Sequence, residues 1–72
     1  MNNKILLRLR IIKSSEVLEV YLDSRLSFIE NFRLLGFEKD YLVYESNKGI
    51  FLDRTVPISE FNIERFMAFN LY

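Results

Sequence analysis

The sequence predicts an α+β domain in which one mixed sheet of four to five strands is covered by a single helix. Three observations lead there. Residues 4–22 alternate apolar and polar with a period of two, in two runs separated by a short polar break. Residues 27–36 switch to helical spacing, with a start signal at one end and a stop signal at the other. The remainder returns to short apolar runs punctuated by Asn, Gly and Pro.

The first run, KILLRLRII, sets Ile5, Leu7, Leu9 and Ile11 against Leu6, Arg8, Arg10 and Ile12. KSSE then breaks it, and EVLEVYL alternates again, with Leu18, Val20 and Leu22 opposite Val17, Glu19 and Tyr21. Two such runs joined by a polar turn form an antiparallel hairpin. Within it, Arg8 and Arg10 lie near Glu19, and cross-strand ion pairs account for this basic cluster more simply than a ligand does. Ser27 followed by Glu30 is a capping box: the hydroxyl takes an orphan backbone N–H and the carboxylate reaches back. Phe28, Ile29, Phe32 and Leu35 then share one helical face, and Gly36 supplies the left-handed residue that ends the helix. At about 9 residues such a helix needs tertiary packing to persist. Phe37 follows as a plug at the helix end. YLVYE is a third strand, with Leu42 and Tyr44 on one face and Tyr41 and Val43 on the other. SNKG is turn chemistry, IFL a short fourth strand, and DRTVP irregular because Pro57 has no N–H. ISEFNI fits one tight helical turn. RFMAFNLY closes the series as a strand with Met67, Phe69 and Leu71 inward, opposite Phe66, Ala68, Asn70 and Tyr72.

The chain has 72 residues and reads as a single domain, residues 1–72, without repeats or linkers. Half of the residues are hydrophobic, with seven Phe and four Tyr, which excludes disorder. A domain this size buries roughly 60% of its unfolded surface, so its stability is modest. With no cysteine, disulfides cannot reinforce it, and a reducing, cytoplasmic setting fits. Arg8 and Arg10 interrupt the N-terminal apolar run, so neither a signal peptide nor a membrane span is expected. Ten basic residues balance ten acidic ones, which argues against a nucleic-acid partner.

Two strands, one helix across the sheet, then further strands is the order of a β-grasp, in which the first and last strands lie side by side and parallel at the centre. The stretch LDRTVPISEFNIERFMAFNLY, residues 52–72, resembles the C-terminal third of ubiquitin-like proteins. The matching positions are Asp53, Arg54 and Thr55, then Ile58, Ser59, Glu60, Phe61, Asn62 and Ile63. FIENF, from Phe28 to Phe32, is similar to the start of the ubiquitin-like helix. The resemblance implies that Ile58, Phe61 and Ile63 close the open end of the sheet and that Asn62 takes a left-handed conformation. Val56 and Pro57 depart from the pattern by adding length before Ile58. Conjugated ubiquitin-like proteins and sulfur carriers end in a flexible diglycine tail, which this sequence lacks, so neither conjugation nor sulfur or acyl carriage is expected. Among bacterial ubiquitin-like proteins, LDSRLSFIENFRLLGF and FNIERFMAFNLY are similar to regions of the tail-less YukD/EsaB family of type VII (ESX-like) secretion. That resemblance implies a small cytosolic accessory or regulator acting by protein–protein contact.

Enzymatic chemistry is not expected. Without His or Cys the usual general base, thiolate nucleophile and soft metal ligands are missing. No glycine-rich phosphate loop or calcium-loop pattern is present, so no cofactor or metal is expected either. Binding remains, and the face of the sheet away from the helix is the candidate surface. By alternation it gathers Leu6 and Arg8 from the first strand, Tyr41 and Val43 from the third, and Ala68, Asn70 and Tyr72 from the last. Partners reach such a face as other proteins or as a second copy in a homodimer, and the sheet edges offer strand addition as a further mode. The alternative to a secretion role is a self-associating structural β-grasp module, phage-encoded or part of a larger protein.

Overall fold

The computed structural model describes residues 3–63 and 67–72. It contains β1 (Lys4–Ile11), β2 (Glu16–Asp23), α1 (Phe28–Leu34), β3 (Val43–Glu45), β4 (Ile50–Phe51), a 3-10 turn at Ile58–Glu60, and β5 (Ala68–Leu71). The five strands form one sheet in the order β2-β1-β5-β3-β4. β1 and β2 are antiparallel, in register from Lys4 opposite Asp23 to Ile11 opposite Glu16. β1 and β5 run parallel, from Arg8 beside Ala68 to Ile11 beside Leu71. β3 is antiparallel to both β5 and β4. The class is therefore α+β, with a mixed sheet and one helix.

The alternation in β1 and β2 sorts the side chains as its period requires. Leu7, Leu9 and Ile11 are buried, Leu22 joins them, and Leu18 and Val20 pack at the margin. From β5 come the fully buried Phe69 and Leu71, with Met67 beside them. Phe28 and Phe32 of α1 join the same core, and Phe28 meets Phe69 edge-on at 5.9 Å between ring centroids. Ile58 is buried, and Phe61 and Ile63 pack against the same core. All three thus contribute to the core.

Both helix signals act as expected. Ser27 Oγ accepts from the Glu30 N–H at 3.1 Å, and Glu30 Oε1 accepts from the Ser27 N–H at 3.2 Å. At the other end Gly36 takes φ 82°. The Phe37 N–H donates to the Phe32 carbonyl at 3.0 Å and the Gly36 N–H to that of Arg33 at 3.1 Å. This is a Schellman ending, sealed by the Phe37 ring 5.3 Å from that of Phe32.

Three details differ from the sequence expectation. The helix has seven residues, because the Schellman ending begins at Leu35. Its buried face is Phe28, Asn31 and Phe32, while Leu35 is exposed. The reason is a polar joint: the Asp23 N–H donates to Asn31 Oδ1 at 2.7 Å, and Asn31 Nδ2 donates to the carbonyls of Asp23 and Ser27. Those bonds set Asn31 against the end of β2, while Leu35, one turn further along the same face, is the C-cap residue beyond the helix. Finally, Asn62 is not left-handed. The 3-10 turn leaves through an extended Phe61, with φ −101° and ψ 151°, so no left-handed turn follows. Among the described residues the non-glycine with positive φ is Ser15, at 61°, in the β1–β2 turn. Phe66 lies outside the described residues.

Candidate interaction face

The helix packs on one side of the sheet, and among the described residues no element covers the other, bare side. The pairing register lays out that bare side row by row. One row runs from Val17 through Arg10, Asn70 and Tyr44 to Phe51. The next holds Tyr72 and Leu42, whose backbones exchange two hydrogen bonds at 2.9 and 3.0 Å. On the other side of the first row, Glu19, Arg8 and Ala68 lie abreast.

Five of the seven residues expected on this face are there. Arg8 is exposed and pairs with Glu19 at 3.0 Å, the predicted cross-strand ion pair. Leu6 and Asn70 are half-buried, Ala68 and Tyr72 exposed. The Asn70 amide donates to Ser46 Oγ at 3.2 Å. Val43 and Tyr41 are not on this face. Val43 is fully buried, because its place opposite Leu71 turns it to the helix side. Tyr41 packs against the core, edge-on to Phe32 at 6.3 Å and to Phe37 at 5.8 Å, with Lys39 Nζ 4.8 Å from its ring centroid. The segment YLVYE carries an apolar set on each face, so alternation allowed either side inward. Pairing with β5 decides it.

That reversal brings forward residues the sequence reading left aside. Tyr44 and Phe51 stand on the bare face and form a three-ring group with Tyr72. The centroid separations are 5.0 Å (Tyr44–Phe51), 5.9 Å (Phe51–Tyr72) and 6.2 Å (Tyr44–Tyr72), with interplanar angles of 65°, 65° and 90°. Edge-on contacts of this kind fix rings to one another. At these separations no cation fits among them, so the group is a platform and not a cage. Leu42, Phe51 and Tyr72 expose 45%, 55% and 46% of their surface, a level that leaves the platform open to a partner.

Three carboxylates are held in place by local hydrogen bonds. At the far end of β2, Asp23 receives the Arg25 backbone N–H at 2.9 Å and its guanidinium at 2.8 and 3.1 Å. The side-chain hydrogen bonds from Arg25, then its backbone N–H, hold the Asp23 pKa down at about 2. Asp53 is lowered by hydrogen bonds from the Thr55 hydroxyl and N–H, which cap the loop after β4. Glu45 folds over the β3–β4 turn and accepts from the backbone of Asn47 and Lys48. These carboxylates are engaged in shaping turns. Among the described residues no group of three or more Asp or Glu is placed to hold a metal ion, and no helix is long and apolar enough to cross a membrane. No protein-family model and no curated protein matches the chain.

Proposed function

We propose that this chain is a ubiquitin-like β-grasp protein acting as a protein–protein interaction module, a cytoplasmic accessory or regulator of a type VII (ESX-like) secretion system. The β-grasp assignment is supported by the strand order, with β1 and β5 parallel at the centre and a single capped helix over one side. The secretion role rests on the resemblance of residues 22–37 and 61–72 to the YukD/EsaB family. The interaction reading rests on one observation: the Tyr44, Phe51 and Tyr72 platform held open on the bare side of the sheet. Aromatic residues of this kind form the anchors of protein interfaces.

The test is affinity capture with the tagged chain in the organism that encodes it, read by mass spectrometry and run beside Phe51→Ser. Secretion-machinery components held by the parent chain and released by the variant are the expected result. Recovery of proteins unrelated to secretion overturns the secretion role, and recovery insensitive to Phe51→Ser overturns the choice of face. A second reading, self-association, is favoured by β2: eight residues long, it ends the sheet with an unpaired edge. Sedimentation equilibrium of the purified chain separates the two.

A further inference from the structure

Building on the interaction reading, we propose that the bare face binds a protein segment that sets a carboxylate on Arg10 and lays flanking apolar side chains on the aromatic platform. Arg10 is exposed in the row between Val17 and Asn70, one residue across β5 from Tyr44. The other described arginines all have acceptors: Arg8 has Glu19, Arg25 has Asp23, Arg33 has Asp40, and Arg54 has the carbonyls of Asp40 and Tyr41. Arg10 has none among the described residues. A planar guanidinium without an acceptor among the described residues, bordered by Val17 and Asn70 and one strand away from the platform, matches a carboxylate bidentately, and binding strips water from both groups together.

Charge selects this occupant over a second copy. On the bare face the strand carboxylates Glu19 and Asp23 are already held by Arg8 and Arg25, while Glu16, opposite the buried Ile11, stands on the helix side of the sheet. Two copies meeting through this face would bring two Arg10 side chains together, with both described strand carboxylates of that face already engaged. A nucleic acid is disfavoured by the net charge of zero and by Glu19 on the same face.

The test is selection of a random-peptide phage library on the immobilised chain, with the winning peptides titrated against the parent chain, Arg10→Ala, Arg10→Glu and Phe51→Ser. Backbone amide NMR shifts locate each peptide and verify that the variants fold. Support consists of peptides with Asp or Glu flanked by apolar residues, mapping to β1, β3 and β5. Their affinity falls about tenfold or more on Arg10→Ala, and exchanging the peptide acid for Lys restores binding to Arg10→Glu. Peptides that need Phe51 but neither an acid nor Arg10 overturn the carboxylate assignment and leave the interaction face standing. Peptides that map elsewhere, or none selected, overturn both. Concentration-dependent dimerisation abolished by Phe51→Ser, or capture of a labelled single-stranded oligonucleotide abolished by Arg10→Ala, overturns the proposed occupant.

Discussion

Replacing Asn31 by alanine tests the joint between α1 and the sheet. Asn31 is 3% exposed and makes three side-chain hydrogen bonds. Two of its partners keep a second bond: the Asp23 carbonyl still accepts from Leu26 at 3.1 Å, and the Ser27 carbonyl from the Asn31 backbone at 3.0 Å. The Asp23 N–H loses its acceptor. A stranded buried N–H costs about 1–3 kcal/mol, and the space left by the amide adds roughly 1 kcal/mol. The total, about 2–4 kcal/mol, is a large part of the 4–11 kcal/mol or so usual for a chain of this length. Thermal melting by circular dichroism should then fall by about 8–30 °C. Asn31→Asp keeps an acceptor for the Asp23 N–H but loses both donors and faces two carbonyls with a negative charge. At neutral pH it should melt no higher than the alanine variant. A loss under about 4 °C for Asn31→Ala would refute the view that this amide fixes the helix on the sheet.

Val43→Arg forces a charge into a fully buried site and should leave the purified chain unfolded by circular dichroism, whereas a folded variant would put Val43 back on the bare face. Leu9→Ala, also fully buried, should cost about 2–5 kcal/mol in urea titration. The Asp23 pKa lies below its ordinary value, so its contribution to stability is full above about pH 4 and is lost as the pH falls through about 2. Acid titration followed by fluorescence should show this loss, reduced in Asp23→Asn. Arg8→Ala removes an exposed ion pair and should change stability by less than about 1 kcal/mol.

How much of this was legible in the sequence depended on whether local chemistry or pairing decided the outcome. The hairpin, the capping box and the stop at Gly36 are local, and the structure has all three. The orientation of β3 is not local: Leu42 and Tyr44 are as apolar as Tyr41 and Val43, and only the register with Leu71 and Asn70 chooses between them. That one choice moved Val43 and Tyr41 off the candidate face and brought Tyr44 and Phe51 to it. Asn31 was equally invisible, since a polar residue enters a core only where backbone partners wait for it, and those come from residues 23 and 27. Arg10 was read with Arg8 as one cluster. The distinction between them appears only when Glu19 pairs with Arg8.

The parallel contact of β1 with β5 has a mechanical consequence. Lys4 and Leu71 lie toward opposite ends of that pair, so tension drawn between them slides one strand along the other. The bonds spanning the pair, with Arg8 N to Met67 O at 3.1 Å at one end and Ile12 N to Leu71 O at 3.0 Å at the other, then share the load and must fail together. The β1–β2 hairpin, pulled from its open end, would instead unzip one bond at a time. The domain should resist stretching along this axis far more than its small size suggests.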